Sequence, residues 1–514
     1  MFKSTLIFGA VLSIYCLSAP AATYYVDQTA GSDNNTGLSP STPWKNSPGM
    51  ASYTGKGALV AGDTVYFDRG DTWVLSSGTQ GLYVKGGVKY VGNSWGTGTR
   101  AVLRAGARLE AGLVRIFEDN ATFETEVRGF DLDGNEQVLS GVDINHRYYS
   151  TVSLNKATKR VIDCLVHNTY SQQANGDYRY GIIVSNNDPS GATTVENVEI
   201  INCVVHDISR DAICLYSGSA ANNRIGKCTI RGCEAYNTGQ DPNYAEGHGL
   251  LVKGWIYDST LEFNYSHNVK SSALFFNGPE VGSGRGCLNL VARFNLLTTN
   301  DNNGAVRFFG SGDKDAKIYG NIIFNSTTYA GFSIAGNSGA LSLLLYNNTF
   351  YNAPVMIEAN SGSITNLEFK NNLVYNAGGI PLSDANGAIT SHSNNLYYSG
   401  SSALVSSHGK SFSSANLTTY EATARGANPL FKNTSNLASG FVGTYGVDLA
   451  PNKDGLALQA SSAGMNSGVA LASAYTGSIN TIARMSGSSW DMGAYQNSLL
   501  APAPPAPANL KLVP

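Results

Sequence analysis

Apolar and polar residues alternate through the middle of this chain in short runs, and the runs recur. Pairs such as Val198 and Ile200, or Leu250 and Val252, keep a period of two, and no helical period passes through these stretches. A short phrase marks each recurrence: VIDCLVHN at Cys164, IINCVVHD at Cys203, IRGCEAYN at Cys233 and LEFNYSHN at Asn264. It continues as ARFNLLTTN at Asn295, YGNIIFN at Asn321, YNNTFYN at Asn348, KNNLVYN at Asn372 and SNNLYYS at Asn395. Successive anchors lie 39, 30, 31, 31, 26, 27, 24 and 23 residues apart. Strand-like phrases at that period, with an Asn at the turn, predict stacked coils: an all-β, right-handed parallel β-helix.

A second strand follows each anchor. The set is YGIIVS (180–185), DAICLY (211–216), HGLLVK (248–253), SALFFN (272–277), GAVRFF (304–309) and AGFSIA (330–335). Aligned, they place Ile182, Ile213, Leu250, Leu274, Val306 and Phe332 in one column. Val184, Leu215, Val252, Phe276, Phe308 and Ile334 form another. Both columns are wholly apolar and should line the core, so strand alternation turns Lys253, Asn277 and Arg307 outward.

The ends break the pattern. Residues 1–22 read as a secretory signal: Lys3, an apolar run from Leu6 to Leu17, then Ala19-Pro20-Ala21-Ala22. That run is too short to span a bilayer, so the mature chain is expected to be soluble and exported, extracellular or periplasmic. Residues 23–87 are expected to cap the solenoid, 88–404 to form its coils and 405–498 to close it with irregular strands. The Pro-rich APAPPAPANLKLVP (residues 499–514 taken as the tail) reads as an extended linker. A monomer is expected.

Composition adds limits. The 57 Gly, 28 Tyr and 14% charged residues suit strands, tight turns and stacked surface side chains. A net charge of −3 gives no electrostatic case for nucleic acid or an anionic membrane, but leaves an acidic polysaccharide open. Beyond the leader lie Cys164, Cys203, Cys214, Cys228, Cys233 and Cys287. An even count permits disulfides in an exported protein. However, Cys164, Cys203 and Cys233 share one repeat position and should stack as buried thiols about 4.8 Å apart. No Cys-x-x-Cys pair suggests zinc.

The longest turns, between Asn168 and Tyr180 and between Asn237 and Gly247, both lead into the second strand. Polar groups collect there: Asp177, Tyr178, Arg179, Arg210, Asp211, Glu246, His248, Lys253, Lys270, Asp301 and Arg307. A partly desolvated lysine can take the proton beside a uronate carboxylate, and Lys253 is the candidate base. Arg179 or Arg307 would face the carboxylate, His248 would assist, and Asn277 and Tyr178 complete a substrate-binding set. Alternatively Asp211 and Glu246 act as an acid–base pair on a glycosidic bond, or hold Ca²⁺ with backbone carbonyls. His167, His206, Tyr236 and His267, continued by Phe324, Tyr351, Tyr375 and Tyr398, form an outward column that is either a sugar track or a structural ladder. No carboxylate stands at a spacing that would complete a metal site with those histidines. The Asn column from Asn264 to Asn395 reads as amides hydrogen-bonded along the axis.

The opening YYVDQTAGSDNNTGLSPSTPWKN with AGDTVYF, the repeats and the closing WDMGAYQ resemble secreted bacterial β-helix proteins of the pectate-lyase-like superfamily over residues 23–498. The segment AEGHGLLVKGWIYDSTLEFNYSHNVKSSALFFNG is similar to the core of family-nine pectate lyases. That resemblance puts Lys253 at the catalytic lysine and Glu246-Gly247 at the Asp-Gly position. Where that family carries its Ca²⁺-binding aspartates, this chain has Lys270-Ser271-Ser272. Gly247-His248-Gly249 resembles the Gly-His-Gly of polygalacturonases, whose Asp pair would fall at Arg210 and Asp211. The resemblances imply a polysaccharide lyase cleaving an acidic glycan by β-elimination. The alternatives are a glycoside hydrolase and a non-catalytic surface or matrix glycan-binding protein, with no cofactor beyond the Ca²⁺ option.

Overall fold

The computed structural model describes residues 20–497 apart from 77–80, 146–152, 170–178, 189–190, 192, 219–222, 243–244, 279–285, 300–302, 338 and 359–362. Residues 1–19 of the expected leader, the Pro-rich tail, Asp177, Tyr178 and Asp301 therefore lie outside the described residues. The chain winds through three long sheets of 14, 13 and 12 strands, parallel throughout except for a closing hairpin. It is the expected right-handed parallel β-helix. One coil runs Thr194–Ile201, Val204–Ile208, Asp211–Ser217, and the next begins at Arg224–Arg231. We call these the first, second and third sheets. No helix among the described residues is long and apolar enough to cross a membrane.

The anchor phrase is the corner between the first and second sheets. The residue before each anchor has a left-handed backbone: Asp163, Asn202, Gly232, Phe263, Phe294, Gly320, Asn347, Asn371 and Asn394 all have φ between 51° and 66°. Asn, Asp and Gly tolerate that region, and repeating it once per coil turns the chain sharply at the same place. The anchors point into the core. Each Asn Oδ1 from Asn295 to Asn395 accepts the backbone N–H and the Nδ2–H of the Asn one coil earlier, at 2.8–3.2 Å. The ladder starts where Cys233 N–H donates to Asn264 Oδ1. It ends on the buried Glu421 carboxylate, which accepts Asn395 N–H at 2.8 Å, Asn395 Nδ2–H at 3.0 Å and Tyr397 O–H at 3.0 Å. Upstream, Cys164, Cys203 and Cys233 hold the same position with thiols turned to carbonyls. All six Cys of the described residues are buried and unbridged, and burial pushes the Cys228 and Cys287 thiols up to about 12.

Residues 64–84 already give one strand to each sheet, Thr64–Asp68, Thr72–Leu75 and Leu82–Val84. The preceding loop folds over the open end, where the buried Trp44 stacks on Tyr24 at 4.5 Å. At the other end Leu417 and Ala424 join the core. The chain then runs back along the flank instead of adding coils. Tyr445 O–H donates to Glu262 (2.6 Å), Asn371 Nδ2–H to Val469 O (2.8 Å), Asn394 Nδ2–H to Ser467 O (2.8 Å) and Ala494 N–H to Thr349 Oγ1 (2.9 Å). This strap covers the two bulky corner residues. Phe263 packs on Phe441 and Tyr445, and Phe294, which also meets Phe263 and Tyr319, lies so close to Gly477 of the strap that a Cβ there would come within 2.9 Å of its ring. Aromatic burial there offsets a left-handed backbone that costs a bulky residue about 1–3 kcal/mol. Within the strap, buried Arg484 donates to the carbonyls of Gly477, Gly493, Ala494 and Tyr495 and fixes the WDMGAYQ turn.

Burial raises the phenols of Tyr397, Tyr90 and Tyr420 above their ordinary value. The folded chain therefore keeps protons that the unfolded chain releases above about pH 10, so stability is full below that pH and falls as it is passed. The expected result is a denaturant midpoint that drops steeply above about pH 10. A midpoint that stays level up to about pH 12 would contradict it.

Candidate functional site

The strands of the third sheet hold Asp211, Lys253, Asn277 and Arg307 of the residues singled out from the sequence. Their register confirms the two inward columns. It also shows a bend that strict alternation does not give. Ala212, Ala273 and Ala305 join the core together with the residues that follow them, Ile213, Leu274 and Val306. A Cβ on Gly181 would strike core Val205, and one on Gly249 would strike Ser266 Oγ. Two successive positions thus face inward, and small residues at the first of them make room. The bend turns Tyr180, Asp211, His248 and Ser272 outward at the edge where the long turns arrive. Beyond it the outer face carries an apolar cluster of Tyr180, Ile183, Cys214, Leu251 and Phe275, with Tyr216 against it.

Lys253 and Asn277 share an outward row with Tyr216 and Phe309. Arg307 stands in the neighbouring row, with Leu251 and Phe275, two coils beyond Lys253. Lys253 is half-buried, with Nζ 5.9 Å from the centre of the Tyr216 ring, and forms no ion pair among the described residues. The Arg307 guanidinium lies 4.6 Å from the Phe309 ring centre and 5.6 Å from that of Phe275, and donates to Asn303 Oδ1.

At the bent edge the acids are paired with guanidinium groups. Arg210 bridges two of them: Nη2 donates to Glu246, and Nε lies 3.3 Å from Asp211 Oδ2. Asp211 is fully buried, and its Oδ1 accepts the His248 backbone N–H at 2.8 Å. Arg179, also buried, donates to Asp241 at 3.2 Å. Burial alone would push the exposed-edge Glu246 carboxyl up, but Arg210 holds it below the usual carboxylate range. His248 is buried against Phe275, with ring centres 4.4 Å apart. Its Nδ1 accepts Ser272 N–H at 3.1 Å, which leaves the proton on Nε2, and burial pushes its pKa down. His248 therefore ties two coils together as a neutral ring.

Of the residues singled out from the sequence, Arg210, Asp211 and Glu246 form one polar clamp that His248 joins through its backbone N–H. Arg179 sits in its own pair, and Lys253 with Asn277 lies further along the strands. Tyr178 is outside the described residues. A Ca²⁺ site does not fit this arrangement, because Asp211, Glu246 and Asp241 already face guanidinium groups, and Lys270 Nζ donates to Asp241 O at 3.2 Å. Among the described residues no group of three or more His, Cys, Asp or Glu could hold a metal ion.

On the second sheet the rings of His167, His206, Tyr236 and His267 stack at 4.8–5.3 Å, within 15° of parallel. Carboxylates do join this column, contrary to the reading from spacing. Asp131 lies 2.8 Å from His167, Asp207 2.6 Å from His206 and Glu234 3.0 Å from His267. Two of these contacts run diagonally across the ladder, since Asp131 is level with Leu165 and Glu234 with Tyr265. Reading down columns misses them. Further along, Tyr351, Tyr375 and Tyr398 stack in turn, and Phe431 of the strap packs edge-on against the first two.

No protein-family model matches this chain, and no curated protein sequence does. Among solved structures, pectate lyase Pel9A aligns over 93% of this chain and 97% of its own, at 15% identity and a TM-score of 0.48. The A-module of the mannuronan C-5 epimerase AlgE4 from Azotobacter vinelandii aligns over 67% of this chain and 86% of its own, at 17% identity and a TM-score of 0.39. The GH136 lacto-N-biosidase from Eubacterium ramulus aligns over 74% and 64%, at 12% identity and a TM-score of 0.32.

Proposed function

We propose that this chain is an exported carbohydrate-active β-helix, a polysaccharide lyase that cleaves a uronate-containing glycan with Lys253 as the base. The observation that carries this reading is a lysine on the outward strand face without a carboxylate partner among the described residues. An ion pair would hold a lysine charged, whereas one without a pair gives up its proton more readily when a bound polymer strips away water. The Lys253 amine would take the proton beside the uronate carboxyl group. That electron pair becomes the new C4–C5 double bond, the C4–O bond to the leaving sugar breaks, and the departing oxygen collects a proton. Arg307 supplies a cation on the same face for the carboxylate, and Asn277 an amide beside Lys253 for hydroxyl groups.

The hydrolase reading fits less well. An acid catalyst needs a carboxyl group that keeps its proton near neutral pH, and Arg210 draws Glu246 the other way. Asp211 is fully buried and committed to His248 N–H.

The test measures absorbance near about 235 nm and new reducing ends in parallel on polygalacturonate and alginate. Equal molar amounts of both are expected. Reducing ends without the absorbance would overturn the lyase reading in favour of hydrolysis. Glu246→Gln is expected to keep the elimination rate within about fivefold, since it alters a clamp and not the base.

A further inference from the structure

A second feature lies apart from the Lys253 face, on the outer side of the first sheet near its start. A cleft of about 320 Å³ is lined by Gly62, Thr64, Gly87, Lys89, Phe123 and Glu124 among others. Phe123 is 44% exposed, although its turn is well fixed. The fixing is explicit. Asn120 Oδ1 accepts the N–H groups of Thr122 (2.9 Å) and Phe123 (2.8 Å). Asp119 beside it accepts those of Asn155 and Lys156, each at 2.8 Å. The floor is equally fixed: Gly62 N–H donates to Gly87 O and Gly87 N–H to Thr125 Oγ1, both at 2.8 Å. Buried Asp63 accepts the Val60 N–H, again at 2.8 Å. Both glycines have positive φ, and a Cβ on Gly62 would come within 3.3 Å of the Phe123 ring. The bareness of Gly62 keeps the space beside the ring open.

The rim decides the ligand. Glu124 is engaged by Arg160 at 2.5 Å. Lys89, exposed and level with Thr64 on the neighbouring strand, forms no ion pair among the described residues. The open charge is therefore a single ammonium beside an exposed aromatic ring, in a cleft that Thr64 and Thr122 also line. An apolar sugar face packs on such a ring, and a carboxylate on the same sugar meets the cation.

We propose that this cleft is a second glycan-binding site, in which Phe123 stacks on a pyranose ring and Lys89 meets its carboxylate. It retains the polymer away from the Lys253 face and takes no part in bond cleavage. The acidity of the ligand rests on the lyase reading as well as on Lys89; the stacking on Phe123 does not.

The experiment is affinity electrophoresis of the Lys253→Ala protein through gels holding polygalacturonate, alginate or neutral xylan. Phe123→Ala in that background is expected to weaken retardation about fivefold or more, with an unchanged thermal midpoint, because the ring is exposed. Lys89→Ala is expected to weaken retardation by the two acidic polymers. Retardation by none of the polymers, or retardation indifferent to Phe123→Ala, overturns the site. Retardation by xylan alone, indifferent to Lys89→Ala, overturns its acidic ligand. The lyase reading stands or falls separately, on the unsaturated product made by the protein with Lys253 intact. In that protein Phe123→Ala is expected to leave turnover of short oligosaccharides unchanged.

Discussion

Lys253→Ala is expected to lower the elimination rate on uronate polymer by about 10²–10⁴-fold, the range a positioned general base contributes. The loss should fall on kcat, with KM little changed, because a group that takes a proton acts in the transition state more than in the bound ground state. Lys253→Arg separates this role from a merely electrostatic one. Arginine keeps the positive charge and much of the reach across Tyr216, but does not surrender its proton at working pH. If Lys253 only attracts the uronate, Arg should restore most of the rate. If it is the base, Arg should be nearly as inactive as Ala while binding the polymer. Stability offers an internal control. Lys253 is half-buried and in no ion pair among the described residues, so both variants should unfold within about 0.5 kcal/mol of the parent. A rate retained in Lys253→Ala would remove the reading altogether.

Much of the fold could be read from the chain because the repeat is written at its most constrained point. One left-handed corner residue and one inward anchor recur in each coil, and only a few residue types satisfy either position. The inward columns followed from alternation alone. The site was less legible, for physical reasons tied to particular residues. Alternation counted back from Ile213 and Leu250 sends Asp211 and His248 into the core, and the bend that turns them outward is signalled only by the small residues Ala212 and Gly249. Those positions, with Gly181, Ala273 and Ala305, form a column of small side chains that could have been read as a bend. The flank-covering strap had a signal too. Phe263 and Phe294 occupy corners where the other coils from Cys164 to Asn395 have Asp, Asn or Gly, and bulky residues there need cover from outside the repeat. Nothing comparable announced the guanidinium pairing of Asp211, Glu246 and Asp241. Those contacts join residues 36 or 62 positions apart, or immediate neighbours whose side chains meet only at the bend.

The Asn ladder has a consequence for stability that differs along the solenoid. Each amide passes its unmet need for an acceptor to the next coil, so the whole column depends on a final group that accepts without needing a further partner. Glu421 is that group, and Glu421→Ala is expected to cost about 3 kcal/mol or more. The change strands two Asn395 donors and the Tyr397 hydroxyl in a site without water access. Glu421→Gln should cost under half as much, because one amide oxygen can accept both Asn395 donors, as each Asn does inside the ladder. Coils contact only their neighbours, so the loss should appear first in the last coils. Amide exchange is expected to accelerate at the N–H groups of Asn372 and Asn395 in Glu421→Ala while that of Val166 and Val205, far up the solenoid, stays near the parent rate. Uniform acceleration along the chain would mean that the solenoid unfolds as one unit. In that case the column would be terminated by the whole fold and not by a single carboxylate.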